Sequence, residues 1–555
     1  MLFDKKQKPF FSDAILMASV ILVGGFHEYI SCVLAIAMSV CLLVKACKEK
    51  ALYIQKDLMT MAVAVICLAY GVTCLWAVDS GMAFIGFLKF LPVLLYVICL
   101  QQEKGTGAAL EALPWLGAGI ALASAVGMQF SATESLFSVA GRLAGFFQYP
   151  NTFAVFLLVC QLLVVRKPGK KPEDYIVLLV LLVCLLYTGS RTAFIVAILA
   201  NAGMLFAVSR KKMRIVLLGA MAAVVLVCGL LALDDQSVLR RYLSISLTES
   251  TFVGRLLYWV DALPLLIKYP FGMGYMGYYY VQQSVQTGVY SVVYAHNDFL
   301  QLLLDVGWIP GVLFAVALVK WFLKKTVSIT DKIIAAAICV HSFFDFDLQF
   351  ISVWLLLILI LFQEKTDKVW KFKPTLMIKT GFAATVLVAA YMGAALFLAH
   401  LGFYEISDAM YPYNTNNKLT MLEQTEDLGQ ANALAEEILE QNTAYYLPYS
   451  MKAKYAYSRG NFGAVVENCR EAIRRNPFQQ REYEEYCQML MIGIDLYQKA
   501  GDTNSVQFCK TELIAAKEQL EANAKRLSPL GSMIKDQPNM VLSQQVQEYI
   551  ASIGG

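Results

Sequence analysis

Apolar runs near the ~20 residues that cross a bilayer recur along the chain from residue 12 to residue 400. They predict about thirteen spans, over residues 12–26, 28–46, 57–77, 84–101, 112–129, 150–165, 174–189, 191–208, 214–232, 298–323, 329–343, 350–363 and 376–400. From residue 401 onward polar and charged positions dominate. The expected architecture is all-α: a polytopic membrane helix bundle over residues 1–400, then a soluble helical domain over residues 401–555. The longest segment between spans, 233–295, contains "STFVGRLLYWVDALPLLIKYPFGMGY". Its Leu256, Leu257, Val260, Leu263 and Ile267 share one helical face, the pattern of a helix lying on a membrane surface. Gly272, Gly274 and Gly277, interleaved with Tyr275, Tyr278, Tyr279 and Tyr280, then break that helix. Glycines among tyrosines suit close backbone approach and stacking on sugar rings. "GMGYMG" imitates a dinucleotide fingerprint, but no strand precedes it and no acidic residue follows at the required distance.

Charge orients the bundle. The basic stretches "KKQK", "KACKEK", "RKPGKKPE", "SRKKMR", "KWFLKK" and "EKTDKVWKFK" occupy alternate loops, and lysine and arginine mark cytoplasmic loops. The N-terminus is then inside and the 401–555 domain outside. The charged start followed by an apolar run reads as a retained first helix, because no small-residue cleavage site follows it. The loops "SATESLFSVAGRLAGFFQYPN", "YTGSRTA", 233–295 and "HSFFDFDLQF" all fall on the outer face, so the unusual polar chemistry collects on one side. A transport path would instead scatter polar residues through the bilayer.

Composition narrows the choice. Fifty-eight per cent of the chain is hydrophobic, above the roughly 45–50% of soluble domains. The net charge of +4 is too small to point to nucleic acid. Thirteen cysteines form no CxxC pair, and ten lie in or beside apolar segments, where they read as packing residues. Cys469, Cys487 and Cys509 lie in the polar domain, an odd number that leaves at least one thiol unpaired within the chain.

The candidate chemistry is a set of arginines and histidines on the outer side. Arg142 precedes Pro150 and Asn151, where the proline can open a helix. Arg191 follows Gly189 and Ser190 at the junction of two spans, where a charge must face a cavity or a partner. Lys89 lies about five residues inside a span, and Arg255 stands at the first turn of the surface helix. The chain has four histidines, and one of them stands in "YAHNDFLQLLLDVG". Asp298, Gln301 and Asp305 share a helical stripe from which His296 points away. His296 is therefore expected before the helix, with Asn297 or Asp298 capping its first amides. Histidine is the side chain that ordinarily titrates near neutral pH, and His296 would stand at the membrane–water boundary. His341 repeats the pattern close to Asp345 and Asp347. Two histidines and two aspartates could hold a metal, but no pair has the i, i+4 histidine spacing of zinc helices. No metal and no cofactor is expected.

"GRLAGFFQYPNTFA", "TGSRTA", "GRLLYWVDALPLLIKYPFGMGY" and "AHNDFLQLLLDVGWIPG" stand in the order and spacing of the O-antigen ligase family, which includes related polysaccharide polymerases. The resemblance covers roughly residues 80–350. It implies a metal-independent membrane glycosyltransferase that passes a glycan from undecaprenyl diphosphate to an acceptor hydroxyl at the outer face of a bacterial plasma membrane. By that resemblance His296 would be the general base, with Arg191 and Arg255 gripping the diphosphate. Lys89, Arg142, Asn151, Asn297, Asp298, His341 and Asp345 are the further expected substrate-binding residues. The chemistry fits on its own terms, since arginine forks stabilise a diphosphate leaving group without a metal. A base within hydrogen-bond reach activates an acceptor hydroxyl.

The expected partners are the lipid-linked donor, a glycan, lipid or protein acceptor, and membrane lipids. The 155-residue tail departs from the family's Gram-negative members and puts lipid A as the acceptor in doubt. Within it, "KAKYAYSRGNFGAVVENCREAIRRNP" looks like a tetratricopeptide unit. Weaker copies surround Gly429 and Gly501, at spacings of 31 and 41 residues from Gly460 against a nominal ~34. Such hairpins bind a protein or peptide, or cap the membrane domain. The rival readings are a polymerase joining lipid-linked repeat units, a lipid-linked glycan transporter, and a non-catalytic scaffold built on the tail.

Overall fold

A computed structural model describes residues 10–103, 108–167, 171–207, 241–242, 248–363 and 368–553, with isolated positions between 207 and 248. The fold is all-α. Its strands form two short antiparallel ladders, β1 (Leu52–Gln55) with β4 (Val369–Phe372) and β2 (Ser138–Val139) with β3 (Arg142–Leu143). Among the described residues six helices are long and apolar enough to cross a membrane: Glu28–Lys48, Leu58–Leu75, Ser80–Gln102, Ala109–Gly127, Ser250–Lys268 and Leu376–His400. Shorter apolar helices include Phe11–Ile21, Pro150–Arg166, Arg191–Ala207, Trp308–Leu323 and Ile351–Leu361. This is a multi-pass membrane protein. The expected 214–232 span and the basic stretch 209–214 lie almost wholly outside the described residues.

Two expectations change. The 298–323 span is two helices, Asp298–Val306 and Trp308–Leu323, broken at Gly307. Gly307 takes φ +84°, a left-handed value that glycine adopts without a Cβ clash. The Ser250–Lys268 helix also presents its faces differently. Val260, Leu263 and Ile267 are exposed as expected, whereas Leu257 turns inward with Val253, Ala262 and Leu265.

The chain divides into two compact units. One comprises Met1–Val72, Ile85–Ser246 and His296–Phe397. Pro150–Arg166 is buried along nearly its whole length there, packed among Ala109–Gly127, Pro172–Tyr187, Arg191–Ala207 and Ile329–Ser342. A helix that is apolar on every side, with its few polar side chains Asn151, Thr152 and Gln161 hydrogen-bonded to other elements, suits a bundle centre.

The other unit joins Thr73–Phe84 and Leu247–Ala295 to the tail, Leu398–Gly555. Here Asp261, buried on the Ser250–Lys268 helix, accepts hydrogen bonds from the Thr287 amide (2.9 Å), the Thr287 hydroxyl (2.7 Å) and Tyr290 Oη (3.0 Å). Thr287 is tied to the tail in turn, because the Ser528 amide donates to its carbonyl at 2.8 Å. Arg526 Nη2 donates to the Ser284 carbonyl at 2.9 Å, and the Lys535 amide to Ser250 Oγ at 2.8 Å. Ile534 packs with Val253, Leu257 and Tyr290. Gly531 sits so close that an added Cβ would lie 2.3 Å from the Thr287 carbonyl oxygen.

Within the tail, Leu447–Ser458 turns into Phe462–Arg475 through Gly460 (φ +69°), and Gln480–Ala500 into Thr503–Ala524 through Gly501 (φ +74°). Asn461 and Asp502 cap the second helix of each pair through the amides of Ala464 and Ser505. Gly429 does not match them; it lies inside Leu428–Gln441. The helices measure 12 and 14 residues in the first pair and 21 and 22 in the second, which departs from a uniform repeat. Cys469, Cys487 and Cys509 are free thiols in the shared core, and burial pushes Cys487 up to about 12 and Cys509 to about 11.

The hydrogen bonds that join the tail to Ser250, Ser284 and Thr287 predict that these residues and the tail are reached from one membrane face. Single cysteines at Ser291 and Asn504, both exposed, are placed in a cysteine-free background and probed with an impermeant thiol reagent. Both should label from the same side. Labelling from opposite sides would break this arrangement.

Candidate functional site

The site forms where three helix ends of the first unit meet. Pro150 opens the Pro150–Arg166 helix as its first residue. Tyr149 and Asn151 flank the proline and point at one acceptor. Tyr149 Oη donates to Asp345 Oδ1 at 2.8 Å, and Asn151 Nδ2 donates to Asp345 Oδ2 at 2.7 Å. The Phe346 amide donates to Asp345 Oδ1 at 3.0 Å. His296 arrives at the same carboxylate, with Nδ1 3.3 Å from Asp345 Oδ1. A buried carboxylate is costly unless its lone pairs are used, and Asp345 is fully buried with both oxygens engaged.

His296 stands before its helix, as its sequence position implies. Asn297 caps Asp298–Val306, accepting from the Phe299 and Leu300 amides. His296 itself takes φ +50°, uncommon for a residue with a Cβ. Within the other unit, Trp259 Nε1 donates to the carbonyl of Ala295. The imidazole keeps one fifth of its side chain exposed while its edge packs on Phe346, ring centres 5.0 Å apart.

The turn bearing Asp345 is held from below. Asp347 Oδ2 meets His341 Nδ1 at 2.5 Å, its Oδ1 accepts from Thr152 at 2.8 Å, and all three residues are buried. Asp298 Oδ2 accepts from the Leu348 amide at 2.7 Å. The two histidines thus take separate carboxylates. Asn297 and Asp298, expected as substrate contacts, spend the oxygens described here on helix and turn geometry.

Arginines gather beside this carboxylate. The β2–β3 hairpin turns at Ala140 and Gly141, both at positive φ, and delivers Arg142. Arg142 Nη2 donates to Asn151 Oδ1 at 2.6 Å, and its Nε to the Thr188 carbonyl at 2.8 Å. Arg241 Nε donates to the next carbonyl, Gly189, at 3.3 Å. Arg191 opens the helix two residues further on. Burial, then the neighbouring Arg241 charge, lowers Arg142 to about 10, which leaves it a cation at neutral pH. Two guanidinium groups, those of Arg142 and Arg241, therefore hold consecutive carbonyls of the turn that leads into Arg191.

Lys89 is fully buried, 3.3 Å from Glu28 Oε1, with Nζ over the Phe26 ring at 5.0 Å. Rings connect it to the site: Phe26 contacts Phe350, Phe350 stacks with Tyr149, and Tyr149 stacks with Phe346. Arg255 belongs to the second unit, in the second turn of Ser250–Lys268 and not the first. Sequence reasoning passed over Tyr149, Thr152, Arg241 and Glu28. Tyr149 and Thr152 lie inside the quoted "GFFQYPNTFA" motif and were the available signal.

Residues 176–315 match the family model described as O-Antigen ligase. The match contains Arg191, Arg241, Arg255 and His296, and supports a membrane glycosyltransferase of ligase or polymerase type. No curated protein matches the chain, and no solved structure does.

Asp347→Ala removes the shared acceptor of His341 and Thr152, both buried. It should cost about 1–3 kcal/mol for each buried polar group left without its partner. Thermal unfolding of the purified protein in detergent measures this, and an unchanged midpoint would contradict it.

Proposed function

We propose that the protein transfers a glycan from undecaprenyl diphosphate to an acceptor hydroxyl at the outer face of a bacterial plasma membrane. The observation that carries this reading is the partly exposed His296 imidazole set against buried Asp345, together with Arg142 and Arg241 on the turn that leads into Arg191. A base and a cluster of fixed cations are the two elements that displacement of a lipid diphosphate requires.

The acceptor oxygen attacks the anomeric carbon, and the bond from that carbon to the diphosphate oxygen breaks. His296 takes the hydroxyl proton at Nε2, since Nδ1 faces Asp345. The lipid diphosphate leaves with the bond's electron pair, and Arg191 and Arg255 neutralise the charge that accumulates on it. Arg142 anchors the turn that presents Arg191. Lys89, already opposite Glu28, sets the far wall through the aromatic chain. The tail shares a unit with the segment carrying Arg255, which makes it part of the machinery's scaffold.

His296→Ala should lower transfer by roughly 10²–10⁴-fold, the range of general-base catalysis, with the protein still inserted. Arg191→Lys and Arg255→Lys keep charge but lose the planar fork, so each should lose much of its activity. Both are read with purified protein, undecaprenyl-diphosphate glycan and acceptor. Full activity of the histidine variant would remove the base, and full activity of both lysine variants would remove bidentate diphosphate binding. A chelator should leave the rate unchanged; loss restored by Mg²⁺ would favour a metal at the His341–Asp347 region. Glycans of a deletion strain that stay short mark a polymerase, and full-length glycans left on the lipid carrier mark a ligase.

A further inference from the structure

The Glu28–Lys48 helix has 21 residues, so at 1.5 Å per residue its ends lie about 30 Å apart, the thickness of a bilayer core. Glu28, at one end, meets Lys89 and the aromatic chain. At the other end opens a cleft of about 510 Å³ whose lining carries Lys50, Lys371, Lys373 and Lys379, with Glu49 as its acidic residue. Glu49 is already 3.8 Å from Lys45. Among the described residues none of the four lysines stands within ion-pair reach of a carboxylate.

The cleft is held in shape by backbone. β1 and β4 pair in register, Leu52 opposite Phe372 and Tyr53 opposite Lys371, which sets Lys50 and Lys373 just beyond the end of the ladder. Lys379 lies in the first turn of Leu376–His400. A cation there opposes the positive end of the helix dipole, and an anion in front of it is favoured by both. The neighbouring Leu376 and Met377 are 76% and 80% exposed. Positive charge around an opening, flanked by bare apolar side chains at the start of a span, matches a lipid with a charged head.

We propose that this cleft binds the phosphate headgroup of an anionic phospholipid, with the acyl chains running along Leu376 and Met377. The four lysines come from two segments distant in sequence. A bound headgroup therefore ties those segments together at the basic-loop face and fixes the height of the Glu28–Lys48 helix, and with it Glu28. Free inorganic phosphate shares the headgroup chemistry but has no use for the apolar flank.

The test is native mass spectrometry of the full-length protein released from nanodiscs of mixed phosphatidylcholine and phosphatidylglycerol, with and without added inorganic phosphate. The wild type should retain phosphatidylglycerol over phosphatidylcholine, and phosphate should not displace it. Replacing Lys371, Lys373 and Lys379 together by glutamine should abolish the retention. Lys320→Gln, Lys324→Gln and Lys325→Gln, made together in another basic loop, should leave it intact. If the first triple variant fails to insert, Lys373→Gln and Lys379→Gln carry the test singly, each expected to weaken retention roughly fivefold. Equal loss in both triple variants would reduce the site to the general charge of the cytoplasmic loops and overturn the proposal. So would displacement by phosphate, or retention of both lipids alike.

Discussion

The arrangement depends on one carboxylate with no solvent to share. Asp345 is buried, and its two oxygens are met by Tyr149, Asn151, the Phe346 amide and the His296 ring. Those groups come from the start of Pro150–Arg166, the turn after Ile329–Ser342 and the residue before the cap of Asp298–Val306. An unsatisfied buried carboxylate would be expensive, so the three helix ends cannot separate without leaving Asp345 exposed to that cost. Neighbouring Asp347 repeats the device one step deeper, with His341 and Thr152. The deeper pair is sealed and structural, while the shallower one keeps a histidine edge open to the surface.

A second consequence concerns the tail. Its residues 526–535 bond to Ser284, Thr287 and Ser250, and Asp261 links Thr287 to the helix that carries Arg255. The same helix, through Trp259, holds the Ala295 carbonyl within that unit. The tail has a core of its own, and in addition its Ile534 packs with Val253 and Leu257.

Much of this was legible in the chain. Pro150 as a helix start, Asn297 as a cap and His296 just ahead of it followed from local chemistry, because proline geometry and capping act over a few residues. The apolar periods marked the helices. The break at Gly307 was not legible, since the apolar run passes through it unchanged and a glycine inside a helical pattern is often tolerated. The tying of tail to loop was hidden as well: Asp261 looks like a stray acid on an amphipathic helix until Thr287 and Ser528 are beside it. Arg241 escaped notice because its function is to reach a backbone carbonyl, and backbone partners leave no mark in a sequence.

The central claim is that Asp345 holds His296 where it can take a proton. Single-turnover transfer by Asp345→Asn, with purified protein in liposomes and a saturating lipid-linked donor, tests it most directly. The amide keeps the size of the carboxylate but cannot accept from Tyr149 and Asn151 while facing a protonated imidazole. The account predicts normal insertion and donor binding with the chemical step slowed by about 10²-fold or more. A chemical step at the wild-type rate would contradict it.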